Sequence, residues 1–292
     1  MAVSTTTTTP TGAGIRGAAL LTLGSIVSVQ AGAALATTLF EEIGSSGAVL
    51  LRAGFGALAL LALTRAAPLR QWPHRDVILL GVSVAIVNLL FYAALDRLPL
   101  GITVTLEFVG PLGVAVFGSR RPRDVVWVVL AAAGIVLLSG GTGGNSIDPL
   151  GVVLALSAGL FWAAYIVQSA RVGRLGPGMG GATMAAVIST VLVAPFGLAE
   201  GGGELLDPKI LAVGVGVGVL STAIPYAAEI EALRKLPQAV FGVMMSLEPA
   251  VAAAIGFVAL SQGLSAVEVV AIGLVVVASA GALRSAAAPP RD

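Results

Sequence analysis

The chain has 292 residues, of which 57% are hydrophobic and 11% charged, with a formal net charge of +1. Its mean hydropathy is +1.00; a soluble domain carries about a quarter charged residues, so most of this chain is solvated by lipid. So small a net charge marks out no nucleic-acid partner, and the absence of cysteine excludes a disulfide framework, a thiolate metal site and a cysteine nucleophile.

Residues 1–13, rich in Ser, Thr, Gly and Pro, read as a disordered tail. A helix needs about 20 apolar residues to cross the hydrocarbon core. Cutting the chain at its polar punctuation predicts ten such spans, at 15–38, 46–64, 77–95, 99–118, 125–141, 150–169, 179–199, 210–232, 236–260 and 265–284. The first is too long for a signal-peptide core and lacks an obvious cleavage end, so it is expected to remain. With the N-terminus inside, 13 of the 16 basic residues fall on cytoplasmic segments, and only Arg97 and Lys209 face the other side. That bias predicts cytoplasmic termini in a bacterial plasma membrane. The lone histidine, His74, reads as a surface residue.

Residues 82–99 align with 220–237 at an offset of 138, with seven of the 18 positions identical and a shared Leu-Pro corner (Leu98-Pro99 and Leu236-Pro237). The expected organisation is a five-helix repeat over 14–141, a second over 149–285, and a short tail over 286–292. An odd number of spans per repeat inverts the second copy in the membrane. Inverted repeats with interrupted helices at matching places mark secondary transporters, with the substrate near the midplane.

Two glutamates sit in apolar stretches, Glu107 before Pro111 and Glu248 beside Pro249. A carboxylate at membrane depth costs at least ~2.5 kcal/mol on the insertion scale and is rarely without a function. Pro111 cannot donate to the Glu107 carbonyl, nor Pro249 to that of Met245, so backbone acceptors are freed beside both acids. The pair reads as the lining of a polar pathway. Either acid could instead be a buried structural carboxyl held by backbone amides.

Other candidates for substrate binding are Gln30, Asn88, Trp162, Tyr165, Tyr226, Glu229 and Ser246, with Pro111, Pro225 and Pro249 as structural hinges. For Gln30 and Asn88 the bland alternative is helix–helix hydrogen bonding. Glu229 either lines the inner mouth or pairs with Arg234 or Lys235, and Glu231 and Glu268 read as interfacial. Arg52, the one cation inside a span, either snorkels outward or pairs with a carboxylate of the protein or of a substrate. Gly214, Gly216 and Gly218 read as close helix packing. No Walker motif, HExxH motif or metal-ligand cluster is present, so neither an enzyme, a metal nor a cofactor is expected.

The stretch from Thr105 to Leu130 (TLEFVGPLGVAVFGSRRPRDVVWVVL) resembles the EamA-type drug/metabolite transporter superfamily, and in particular its threonine/homoserine exporter branch. Ser221–Tyr226 (STAIPY), Phe241–Ala250 (FGVMMSLEPA) and Phe161–Tyr165 (FWAAY) support the same resemblance, which covers nearly the whole chain. It implies ten helices, a central cavity and export of small amino acids or related metabolites, driven by protons. In that reading Glu107, Glu248 and the freed carbonyls meet a substrate ammonium, while polar side chains and helix ends hold its carboxylate. The alternatives are an exporter of another drug or metabolite in the same superfamily, or a non-transporting membrane channel or scaffold, and a homodimer stays open.

Overall fold

The structure, a computed structural model, describes residues 12–64, 74–119, 125–139, 147–175, 179–236 and 238–287. The expected N-terminal tail lies outside them except for its last two residues, which already belong to the first helix, and the expected C-terminal tail is described only to residue 287. Arg65, Arg70, Arg120, Arg121, Arg123 and Arg291 also lie outside the described residues.

The order is α1 (Gly12–Thr37), α2 (Phe40–Thr64), α3 (Arg75–Leu95), α4 (Leu100–Glu107), α5 (Val109–Ser119), α6 (Val125–Ser139) and α7 (Pro149–Val172), then α8 (Gly180–Gly201), α9 (Pro208–Gly218), α10 (Ile224–Leu233), α11 (Gln238–Met245), α12 (Glu248–Leu260) and α13 (Ala266–Ala287). Among the described residues nine stretches are long and apolar enough to cross a membrane, and Val125–Leu137 is a shorter tenth. The fourth crossing is α4 with α5, the eighth α9 with α10, and the ninth α11 with α12, so the fold is all-α with ten membrane segments.

Polar residues at the loops start the helices. His74 caps α3 through the Asp76 amide, and Asp148 and Asp207 cap α7 and α9, each followed by a proline in the first turn, where its missing N–H costs nothing. Ser265 and Glu268 form a reciprocal capping box at α13, so Glu268 belongs to the helix start. A short helical turn from Phe40 precedes the expected start of the second crossing and is joined to it across a kink at Gly44, whose φ is 68°. The Glu200 side chain occupies the place a Cβ of Gly44 would take, and its carboxylate accepts from the Ser46 amide at 2.9 Å.

Helix contacts obey a two-fold relation between the halves. The pairs α2–α8 and α6–α13 are each their own mate, and α4–α12 joins the fourth crossing to the ninth, which are mates of one another. The α3–α7 pair is mirrored by α1 against α9 and α10, α3–α8 by α2–α9, and α4 and α5 on α7 by α11 and α12 on α1. Mates that run in opposite directions require an axis in the membrane plane, as in an inverted repeat. The α5–α13 contact has no such mate, so the relation is approximate. Gly214 and Gly218 of α9 pack on Leu51 and Phe55 of α2, and Gly216 faces Leu35 of α1; these glycines serve close packing.

Candidate functional site

A cavity of about 620 Å3 lies between the two halves, within the range of about 300–1,000 Å3 typical of small-molecule sites. Its wall carries Gln30 of α1, Arg52 of α2, Asn88 of α3, Glu107 of α4, Trp162 and Tyr165 of α7, Tyr226 and Glu229 of α10, and Glu248 of α12. Eight of the nine expected substrate-binding residues thus surround one space. The ninth, Ser246, does not: it is fully buried and its hydroxyl donates to the Val243 carbonyl at 2.6 Å, capping the end of α11. Its place in the break explains this, since a serine there satisfies the carbonyls that a broken helix leaves open.

The cavity is asymmetric along the membrane normal. On the face where α1 begins and α13 ends, here the terminal face, its wall reaches Val172 and Gly173 at the end of α7 and Gly181 and Ala182 at the start of α8. Towards the opposite, far face the wall stops at Arg52, Phe91 and Val104. There the Tyr92 ring meets Phe91 edge to face at 5.7 Å and Phe40 at a tilt at 5.9 Å. Three polar contacts then tie the halves together there: Arg97 Nη1 to Asp148 Oδ2, the Ser46 amide to Glu200 and the Leu100 amide to Gln262 Oε1, each at 2.9 Å.

The two acids face one another across an antiparallel helix pair. Gly101 of α4 packs on Ala253 of α12, and continuing that register brings Glu107, the last residue of α4, level with Glu248, the first of α12. Glu107 and Glu229 both act electrostatically on Glu248. Both acids are 7% exposed, too little to be solvated outside the cavity.

Nearby, Arg52 donates to Asn88 Oδ1 and lies 5.5 Å from the centre of the Tyr92 ring. Asn88 is itself oriented by its amide donating to the Val84 carbonyl at 2.8 Å. The expected pairing of Arg52 with a protein carboxylate is absent: among the described residues no carboxylate lies within 4 Å of it. The acid it reaches is Glu107, at longer range.

Glu229 pairs with neither Arg234 nor Lys235. Glu231 takes both, Lys235 Nζ at 2.7 Å and Arg234 Nη1 at 3.2 Å, at the end of α10. Glu229 instead accepts from Ser25 of α1 at 2.6 Å, a cross-repeat contact. Trp162 stands edge-on to Phe108 at 5.4 Å, which fixes its indole on the wall.

The prolines divide in role. Pro111 and Pro249 lie in the first turns of α5 and α12, just past the breaks, and neither reaches the wall. Pro225, buried on the wall, follows a π-helical stretch over Val219–Ala223. Lacking an N–H, it cannot donate to Leu220, and the Ser28 hydroxyl does so instead at 2.7 Å. The carbonyl freed at Glu107 turns onto Gly159 of α7, where a Cβ would collide with it, while that of Met245 belongs to a wall residue.

Sequence reasoning missed four hydroxyl-bearing wall residues, Ser169, Ser189, Ser221 and Thr222. Ser189 Oγ, Ser221 Oγ and Gln30 Oε1 are buried without a protein partner. Single serines and threonines in a chain this rich in small residues carry no periodic signal that would have separated them from packing.

The comparisons agree with this architecture. A model of the EamA-like transporter family matches residues 149–284. The threonine/homoserine exporter RhtA of Escherichia coli (strain K12) is 41% identical over 267 residues, covering 90% of either protein, as is RhtA of Salmonella typhimurium (strain LT2). The uncharacterized transporter YwfM of Bacillus subtilis (strain 168) is 25% identical over 244 residues, 79% of this chain and 82% of that protein. A crystal structure with a TM-score of 0.65 covers 91% of this chain and 96% of its own at 19% identity, which speaks to the fold alone. By its 41% identity across nine-tenths of its length and its ten-segment fold, the chain belongs to the EamA-like transporter family and is similar in particular to its threonine/homoserine exporters.

Proposed function

We propose that this protein exports small neutral amino acids of the threonine/homoserine kind from the bacterial cytoplasm by alternating access, coupled to protons. The observation that carries this reading is the likeness to RhtA over nine-tenths of the chain, joined to a polar cavity between inverted repeats. With the termini inside, the terminal face is cytoplasmic. The cavity then runs toward the cytoplasm while the far face is tied shut, the arrangement an exporter needs to load.

Glu107 and Glu248 share one space of low dielectric constant. Two ionised carboxylates there repel, so the pair holds a proton when no other cation is present. A substrate ammonium displaces that proton, which gives a physical route to coupling. Gln30, Ser189 and Ser221 offer unpartnered hydrogen-bonding groups around the bound molecule.

Reconstituted protein tests the reading. Labelled threonine or homoserine should show trans-acceleration by unlabelled substrate, and an imposed pH gradient should drive accumulation. Flux without trans-acceleration would mean a channel, and indifference to the gradient would remove the proton. Single cysteines placed at His74 and Gly203 report orientation in whole cells. An impermeant thiol reagent should label position 203 and spare position 74; the reverse would invert the topology.

A further inference from the structure

We infer that Arg52 is the anchor for the substrate's α-carboxylate, and so the residue that restricts transport to 2-amino acids over the corresponding amines and amides. This rests on the amino-acid export reading above and specifies how that site recognises its ligand.

A cation in a membrane segment ordinarily reaches the interface or finds an acid. Arg52 does neither. It is half-buried on the cavity wall, beside the Phe40, Phe91 and Tyr92 rings and beneath the far-face ties. Its observed acceptor is the neutral Asn88 amide, so its charge has no compensating anion within ion-pair distance among the described residues. Asn88 holds one corner of the guanidinium and Tyr92 lies against it, which orients a group that carries five donors. A planar fork held this way matches a carboxylate, which it can grip through two parallel hydrogen bonds.

The opposite charge stands on the other side of the same space. Glu107 and Glu248 lie level with each other, and Arg52 is in electrostatic reach of Glu107 without pairing to it. A zwitterion satisfies both ends at once, its carboxylate on Arg52 and its ammonium on the acids. An amine lacking the carboxylate would leave the arginine unpaired. The wall thus selects a molecule that carries both a carboxylate and an ammonium group.

The test compares threonine with threoninamide, which keeps every atom position but lacks the negative charge, and with 1-amino-2-propanol, which lacks the group altogether. Each competes with labelled threonine for counterflow in proteoliposomes. The wild-type protein should prefer threonine over either analogue by roughly tenfold or more. Arg52→Gln should raise the threonine KM by a similar factor and bring the acid-to-amide ratio close to one. A wild-type ratio in that variant overturns the assignment, since a merely structural arginine would lower all fluxes together. If the glutamine variant fails to insert, Arg52→Lys decides: a point charge cannot form the fork, so threonine KM rises while inhibition by threoninamide holds. Equal changes for both compounds overturn the proposal. Should the wild-type protein move neither threonine nor homoserine, that export reading fails on its own. The same ratio measured with other amino acids and their amides then decides Arg52 separately.

Discussion

The two repeats break the same helix at the same place, yet the two breaks are built for different tasks. Helix α4 ends at Glu107 and α11 at Met245, positions 138 residues apart, the offset that relates Pro111 to Pro249 and Ser83 to Ser221. The acids themselves do not obey the offset: Glu107 is the last residue before its break and Glu248 the first well past the other. Because the second repeat is inverted, those two unlike positions fall at one level in the membrane. Strict symmetry would have placed the acids on opposite sides of the midplane; the shift of one helical turn brings them together.

The surroundings differ as well. Among the described residues, Arg52 acts electrostatically on Glu107, whereas the charged groups that act on Glu248 are the acids Glu107 and Glu229. A bound cation, whether proton or ammonium, therefore gains most at Glu248. Glu248→Gln should insert normally and lose transport by at least about tenfold, the loss of a charge-assisted contact. Glu107→Gln should lose less. Initial rates of threonine counterflow beside elution profiles in detergent decide it, and equal losses from both would remove the distinction between the repeats.

Packing at the breaks provides the next contrast. At the first repeat's break Gly110 of α5 meets Gly159 of α7, from the second repeat, backbone to backbone, and a Cβ on either would meet backbone rather than a movable side chain. In the ninth segment Gly242 has only the ends of Leu283 within ordinary contact distance, 3.4 Å and beyond. Gly159→Ala should therefore destabilise by about 1–3 kcal/mol, the cost of overpacking, while Gly242→Ala should be close to neutral. Thermal unfolding of the two variants in detergent measures this. A stable Gly159→Ala protein would mean that the first break is free to move.

A smaller divergence separates the third and eighth segments. Val87 of the unbroken α3 corresponds to Pro225, and only the second repeat needs the π-helical stretch and the Ser28 hydroxyl that replaces the proline's donor. Ser28→Ala leaves the Leu220 carbonyl without that bond and should cost about 0.6 kcal/mol, the average for hydrogen bonds between membrane helices. Val87, with no such partner, should tolerate alanine as an ordinary loss of apolar contact. A cost for Ser28→Ala well above 1 kcal/mol would mean that water does not replace the hydroxyl at this site.

Much of this was legible in the residues. The ten spans, the inversion and the nearness of Glu107 and Glu248 follow from hydropathy, charge bias and the repeat, because a helix in lipid has few alternatives. What stayed hidden depends on rotation about helix axes and on contacts between distant segments. The one-turn difference between the acids was written in the sequence but could be weighed only once the register of α4 against α12 was known. Whether Arg52 meets an acid or an amide, whether Glu229 turns to Ser25 or to Arg234, and whether Ser246 faces the cavity or its own helix are each settled by a few tens of degrees of rotation. At Gly44 the sequence showed a glycine, but the distant Glu200 that makes its positive φ useful lies 156 residues away.

The smallest expected effect tests the asymmetry between the membrane faces. Arg97 and Lys235 are equivalent by the 138-residue offset, yet Arg97 ties the first repeat to Asp148 of the second, while Lys235 binds Glu231 of its own helix. Hydrogen bonding from Arg97, then from the Leu150 amide, holds the Asp148 carboxyl below its ordinary range. A carboxyl lowered in the folded state contributes stability that is fully present above its unfolded value, about 3.9, and is lost only as pH falls through the folded value. Between pH 5 and 8 this tie is therefore constant and adds nothing to any pH dependence of transport in that window. Asp148→Asn should change the threonine counterflow rate by less than about twofold, as expected for an exposed ion pair, and leave the shape of its pH profile between 5 and 8 unaltered. A displaced profile in that variant would mean that proton coupling reaches the far face, and the division between a titrating cavity and a fixed outer tie would have to be abandoned.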